Sequence, residues 1–509
     1  PTYPFERESY WIAEGDLSAS KIAEQAVPPE RLPMNEWFSV PSWKRAPLLN
    51  ANEAATGEHV DGDWLVFADG RGVADAIVAN LKNRGVCVVV AQVGDSFAAQ
   101  GDTGFIFNPG RKEDYEAIAA ALRDRAYCPT SILYLLGVTG PDPAPAEDIL
   151  DCCFYGPLFL VQAIAQRDMA GRTSIVFVSD HAQDVTGEEC ILPEKSTFLG
   201  PSRVIPQEYP NIKCRFVDIA TPSSSIPRAD WIAEQLICEA SFDDDASVIA
   251  YRGKYRWLPS LVRVDLQPAA KPDGRLREGG TYLITGGLGG MGLSLARGIA
   301  TEVRANIVLL CRSGLPTTTQ DSHSGKREVA EQNYSSHVEA VRQIEALGAS
   351  VMVVAADVSD AGQMRNALDS IRQHFGEING VIHAAGVAPC GIIQLKTRQE
   401  AERVLAPKIQ GTSALLDALA QSEADFILLC SSLATIADAP GQVDYVAANA
   451  YLDAMAQRLG QMGAARVISV KWDAWGETGK GVGDVEPISL DNQQSDRRLL
   501  GITNAEGVD

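Results

Sequence analysis

Four polar side chains stand at spacings that suit reduction of a ketone. Tyr445 and Asn449 are four residues apart, so a helix would place them on one face. Ser432 ends a strand-like apolar run, FILLCSS, and Lys408 lies upstream in LAPKIQG. Hydride addition to a carbonyl leaves an alkoxide that needs a proton. A tyrosine hydroxyl can supply it where a nearby ammonium lowers its pKa from about 10. Ser432 can hold the carbonyl oxygen in line. Asn449 can fix the lysine or a water for proton resupply. Taken singly, each residue has a plainer reading: an exposed lysine, a helix-surface tyrosine, a strand-end serine.

A hydride donor would need its own cradle, and one is written further upstream. Thr285-Gly286-Gly287-Leu-Gly289-Gly-Met-Gly292 follows a strand-like run and opens a helical one. Glycines there let the backbone turn tightly and approach a pyrophosphate at a helix N-terminus. The next strand ends in Cys311-Arg312-Ser313, where an NAD site would carry an acid. A guanidinium suits a 2′-phosphate, so the expected cofactor is NADPH. Asp357, followed by Val358, ends the third strand. It reads equally as an acceptor for the adenine amine and as the N-cap of a helix over residues 359–363. His383-Ala384-Ala385-Gly386 ends the fourth, its small residues allowing close approach to ribose and nicotinamide. His383 alone reads more readily as a hydrogen-bonded structural histidine than as a catalyst.

These residues need strands to end beside helices, and the chain alternates the two twice, which predicts parallel α/β structure. The first series has strands at 64–68, 86–91, 131–136, 174–179 and 213–217, with helices at 73–83 and 146–168. The second has strands at 281–285, 305–311, 350–355, 380–384, 425–430 and 467–472. Its helices fall at 291–300, 337–347, 363–375, 398–420 and 442–462. The join is the Pro-, Gly- and charge-rich stretch 267–280, and 316–333 reads as a surface loop insertion. The copies differ chemically. After its first strand the early one reads Gly70-Arg-Gly72-Val-Ala-Asp75, and a carboxylate at Asp75 would repel phosphate. The expected fold is α/β, with two Rossmann-like doubly wound parallel-sheet subdomains. A degenerate structural one precedes a catalytic, NADPH-binding one.

Composition narrows the function. Lys and Arg number 44 against 66 Asp and Glu, a net charge of −22, which argues against nucleic acid as a partner. No apolar run approaches a membrane span; the longest, 131–138 and 426–430, are strand-sized. Ten scattered cysteines without a Cys-x-x-Cys pair fit reduced thiols in a cytoplasmic protein rather than disulfides or a metal site. The sequence begins with Pro1 and ends in a polar stretch, 492–509, that reads as having no closing element. It looks like a piece of something longer.

With these residues in view, the sequence resembles a ketoreductase of a modular type I polyketide synthase, within the short-chain dehydrogenase/reductase superfamily. Ordinary members of that superfamily carry Tyr-x-x-x-Lys. Here Tyr445-x-x-x-Asn449 stands with the lysine moved upstream to Lys408, as in synthase ketoreductases, and GQVDYVAANAYLDAMA is similar to the same family. The resemblance implies a post-acyltransferase linker at 1–35, a structural subdomain at 36–270 and a catalytic subdomain at 271–485. A linker toward a carrier protein follows at 486–509. In the structural subdomain Asp180 falls where Ser432 stands, and Pro193 where Tyr445 does. The resemblance further implies NADPH-dependent reduction of a β-ketoacyl chain on the phosphopantetheine arm of an acyl carrier protein. A ketosynthase–acyltransferase part of the same polypeptide would be a second partner, and a glycine-bearing lid would lie in 476–490. With no dehydratase or enoylreductase inserted, the product would stay a β-alcohol. Two stereochemical markers of the family are missing: Ala388-Pro389-Cys390 replaces Leu-Asp-Asp, and Ala437 replaces a Trp. Two other readings stay open, a redox-silent epimerase or scaffold and a free-standing reductase of small ketones.

Overall fold

In the computed structural model the described residues are 32–49, 62–141, 144–166, 172–220, 229–242, 244, 246–266, 275–315, 326–389, 391–420, 422–463, 466–475 and 501–508. The expectations for the opening linker up to residue 31, for Cys390 and for a lid at 476–490 lie outside them.

The second half builds a six-stranded sheet from β11 (Thr281–Thr285), β12 (Asn306–Cys311), β13 (Ser350–Ala355), β14 (Gly380–His383), β15 (Phe426–Ser432) and β16 (Arg466–Trp472). Their order is β13-β12-β11-β14-β15-β16, and every pairing is parallel. That is the doubly wound order, which reverses direction between β11 and β14 and opens a crevice at the strands' carboxyl ends. The first half repeats it. β2 (Asp63–Phe67), β3 (Val88–Val93), β5 (Gly104–Phe107), β6 (Pro129–Gly137), β7 (Thr173–Asp180), β8 (Ile212–Ile219) and β9 (Val248–Arg252) run β5-β3-β2-β6-β7-β8-β9, all parallel. The short strand β4 (Ala98–Gln100) stands where a crossover helix would join β3 to β5, and pairs antiparallel with β5. β1 (Ser39–Ala46) and β10 (Tyr255–Arg263) complete this sheet.

Residues 42–260 and 271–509 form one compact unit holding both halves. A smaller unit comprises 1–41 and 261–270, and within it Asn35 donates to Asp265 at 2.9 Å. In the large unit one apolar core runs through both halves, joining Phe198, Val204 and Ile205 to Val443, Val446 and Tyr451. Each outer sheet face has its own core besides, around Trp64 and Ile77 in the first half and Tyr282 and Ile299 in the second.

Four sequence expectations change here. Helix 337–347 begins earlier, at Lys326 (Lys326–Ala346), so 326–333 is not loop; its run of Lys, Arg, Glu, Ala and Gln favours a helix without an apolar stripe. The helix at 398–420 is two, Arg398–Leu405 and Gln410–Leu419, because Pro407 withholds a backbone donor. The helical stretch Ala146–Ala165 is long and apolar enough to cross a membrane, but 78% of it is buried inside the protein. Acids at 147, 148 and 151 break up its apolar run in the sequence. Finally, the polar ending does close on the fold. Ile502 donates to Ala474 O at 2.9 Å, Gly507 lies against the Trp475 ring, and Val508 covers Gly298.

Candidate active site

Three side chains of the predicted set meet at the carboxyl end of β15. Ser432 is the strand's last residue, and its hydroxyl accepts from Ala434 N at 3.2 Å, which closes the turn beyond. Tyr445 is the third residue of the largely buried helix Val443–Gln461, and Asn449 lies one turn on. The Tyr445 hydroxyl is raised from the ordinary phenol value by burial above all, while hydrogen bonds with Ser432 and Asn449 pull it back. Asn449 is fully buried. Its Nδ2 donates to Tyr445 O at 2.8 Å, and its Oδ1 has no partner among the described residues, an acceptor suited to a water or an ammonium. Ser431 Oγ donates to Asn449 O at 3.2 Å and ties the helix to the strand.

Lys408 is buried at the corner that Pro407 makes. Its Nζ donates to Cys430 O at 2.8 Å and lies beside Gly386, where an added Cβ would come within 3.8 Å of it. Its charge helps to depress His383 and draws the Cys430 thiol down, although burial leaves that thiol at about 11. The expected lowering of the Tyr445 pKa is therefore not what the structure gives. Desolvation of the phenol outweighs its hydrogen bonds, and the hydroxyl stays protonated at neutral pH.

The glycine loop occupies the crevice between β11 and β14. Gly286 has φ +67°, and a side chain there would strike the Ala384 carbonyl oxygen at 2.8 Å. Only glycine suits both demands. Helix Gly290–Glu302 follows with Gly289 at its N-cap and no side chain capping it, so its first amides are left for an anion. Gly287 packs against Leu309, and Gly292, in the first turn of the helix, packs against Gly286 O, so neither has room for a side chain. Arg312 and Ser313 are exposed in the turn just beyond β12. Asp357 Oδ1 accepts from Ser359 N at 2.9 Å and from Ser359 Oγ at 2.6 Å. It is not the helix cap: Asp360 takes that role for Ala361–Phe375, accepting from Gly362 N and Gln363 N. Val358 is buried against Gly411. His383 is wholly buried and shares a 2.7 Å hydrogen bond with Thr285 Oγ1, which also accepts from Ala385 N. Both side chains are thus committed to joining β11 and β14. What this strand end offers a ligand is the edge formed by Ala384, Ala385 and Gly386. The uncapped helix, the loop and the exposed guanidinium fit a phosphorylated dinucleotide.

The first half closes the equivalent places with its own side chains, two of which the sequence reading missed. Asp69, not Asp75, blocks the phosphate position: it accepts from the amides of Arg71, Val73 and Ala74 at 2.8, 3.2 and 2.7 Å. An Asp immediately before Gly70 was the available signal, since Asp readily caps a helix. The Arg71 guanidinium bonds Thr139 O and lies over Gly140. At the end of β7 Asp180 forms a wholly buried ion pair with Lys195, two residues beyond Pro193. No serine–tyrosine pair stands there.

Doubly wound topology, with a Ser–Tyr–Asn cluster and an uncapped glycine-loop helix at the same end of one sheet, agrees with the resemblance to the short-chain dehydrogenase/reductase superfamily. Comparison with known proteins narrows this. Residues 280–477 match the family described as KR domain, and 62–235 match that described as beta-ketoacyl synthase-like, N-terminal. Polyketide synthase PksM of Bacillus subtilis is 25% identical over 508 residues, covering 98% of this chain and 11% of that protein. The 6-methylsalicylic acid synthase of Penicillium expansum is 32% identical over 292 residues, covering 56% and 15%. The chain thus spans well under a third of the length of these curated relatives. Among solved structures, an adenylation, ketoreductase and pseudo Asub multidomain structure of a keto acid-selecting NRPS module aligns with TM-score 0.77 and 25% identity, over 93% of this chain and 38% of that one. An N-terminal ketoreductase from the macrolactin assembly line shares the fold, with TM-score 0.70 and 23% identity over 86% and 83%. Residues 280–477 are thus similar to KR domains, and the curated relatives named above are polyketide synthases.

Proposed function

We propose that this chain reduces the β-keto group of an acyl thioester, carried on the phosphopantetheine arm of an acyl carrier protein, to the β-alcohol with NADPH. The observation that carries the reading is the placing of Tyr445 and Asn449, one turn apart on a largely buried helix, beside Ser432 at the sheet end where the uncapped glycine-loop helix also begins. The amides at 289–292 would hold the pyrophosphate, Arg312 and Ser313 the 2′-phosphate, and Asp357 and Val358 the adenine. The edge at 383–386 would flank the ribose and nicotinamide. Bound there, NADPH would supply a hydride to the β-carbon.

The chain's own groups do the rest. Ser432 Oγ donates to the ketone oxygen and orients it. Tyr445 transfers its proton to that oxygen as charge develops. Asn449 Oδ1 and the Lys408 ammonium support a route by which Tyr445 is reprotonated. Residues 36–270 are the structural subdomain and 271–485 the catalytic one. Residues 1–35 and 486–509 serve as linkers, the latter with 501–508 docked on the catalytic half. The partners are the carrier protein and a ketosynthase–acyltransferase part of the same polypeptide, in the cytoplasm. The nine cysteines among the described residues are all free, which fits a reducing compartment.

The test is NADPH absorbance during incubation with a β-ketoacyl thioester, repeated with Tyr445→Phe. Reduction by the wild type and its loss in the variant, with NADPH still bound, supports the reading. Binding without oxidation in the wild type points instead to a redox-silent scaffold.

A further inference from the structure

We propose that the structural half sets the position of Tyr445 through a buried relay of Gln162, Lys396 and Asp444, and so acts on catalysis as well as on folding. The inference rests on Tyr445 being the proton donor.

The relay starts in helix Gly156–Gln166 of the first half. Gln162 is wholly buried, and its Nε2 donates to two carbonyls of the second half, Ile393 O at 2.7 Å and Lys396 O at 2.8 Å. Those bonds fix the short turn that carries Lys396. The Lys396 ammonium then donates to Asp444 Oδ2 at 2.8 Å, and neither side chain reaches solvent. The other oxygen, Oδ1, accepts from Tyr445 N at 2.9 Å. One carboxylate thus bridges a lysine steered by the first half and the amide of the reacting residue.

Two further contacts hold the same place. Glu208 accepts from Ile393 N at 2.6 Å and from Gly441 N at 2.9 Å, gripping both the Lys396 turn and the turn that leads into the Tyr445 helix. Gly200 lets helix Leu199–Glu208 lie directly on that helix: an added Cβ would run into Val443 O.

A buried ion pair is weak evidence for stability, because apolar residues of similar size often serve as well. What distinguishes this pair is its position. It sits one residue before the proton donor, and its geometry is dictated from the other subdomain. None of these bonds involves the glycine loop, so positioning of Tyr445 and binding of the dinucleotide should separate.

The experiment compares Gln162→Leu, Glu208→Gln, and Lys396→Met combined with Asp444→Leu, a pairing that leaves no lone buried charge. Each is read by kcat and KM, by NADPH affinity, and by hydrogen exchange of peptides covering 436–447 and 286–300. The relay predicts kcat lower by about 10–100-fold, since small misplacement of a reacting group costs that much. NADPH affinity should stay within about twofold. Exchange should quicken at 436–447 and not at 286–300, and Lys396→Arg should recover most of the kcat that Lys396→Met alone loses. Unchanged kcat in the folded variants overturns the proposal. So does a parallel loss of NADPH affinity and of protection in both peptides, which marks general loosening. Should the double variant not fold, Gln162→Leu and Glu208→Gln decide by the same criteria. A wild type that does not reduce thioesters refutes the proposed function instead, and the exchange pattern still tests the relay.

Discussion

The ammonium of Lys408 donates to the carbonyl oxygen of Cys430 at 2.8 Å, two residues before Ser432 on the same strand. The lysine therefore braces the strand end that presents the serine, and its charge reaches the buried His383 and Cys430. Replacing it with methionine keeps most of the volume and removes the charge. Lys408→Met should lower kcat by about 100-fold, within the range for a group that supports proton transfer. NADPH affinity measured by fluorescence titration should change little. Wild-type kcat in this variant would remove Lys408 from the mechanism.

His383 gives a pH signature. Burial first, and the Lys408 charge second, depress its pKa from 6.5 to about 3. The unfolded chain therefore takes up the proton before the folded one does. The stability tied to this group is complete above about pH 6.5 and is lost as pH falls toward 3, by at most about 1.4 kcal/mol per pH unit. Urea unfolding between pH 7 and pH 4 should show a shallower decline for His383→Gln than for the wild type. Equal slopes would mean that the imidazole takes up its proton within the fold.

Arg312 is exposed beyond β12 and should matter only to a cofactor bearing a 2′-phosphate. Charge-assisted hydrogen bonds of this kind contribute about 1.5–3 kcal/mol each. Arg312→Ala should weaken NADPH binding by about 10–100-fold and leave NADH binding unchanged. Equal losses for both cofactors would place the guanidinium elsewhere.

In the first half, Asp69 caps three amides at the start of helix Val73–Asn83. Asp69→Ala should reduce stability by about 1 kcal/mol, the usual loss for a removed cap, seen as a lower urea midpoint. It should leave kcat alone, since this helix faces no reacting group. A changed kcat would show that the first half's vestigial crevice takes part in the reaction.

Much of this was legible in the sequence because regular elements repeat regular patterns. Helix Val73–Asn83 and strands Thr281–Thr285 and Ser350–Ala355 fall where the apolar pattern puts them. The spacing of Ser432, Tyr445 and Asn449 also survives intact, because one strand end and one helix face generate it. What was not legible depends on partners distant in the chain. β4 and β5 are too short to show a period. Residues 501–508 look like a polar tail until Trp475 and Gly298 supply something to pack on. The direction of the Tyr445 shift could not be foreseen either. Spacing reveals that a lysine is near, but not that desolvation by the surrounding fold outweighs the groups that stabilise the phenolate.

The central claim is that Tyr445 gives its proton to an oxygen whose carbon has just received hydride. A single turnover with NADPH deuterated at the transferring C4 position, followed by mass spectrometry of the thioester, tests it most directly. The wild type should place deuterium on the β-carbon, and Tyr445→Phe should do so about 10²–10⁴-fold more slowly with NADPH affinity preserved. Deuterium transfer at an undiminished rate in Tyr445→Phe would contradict the account.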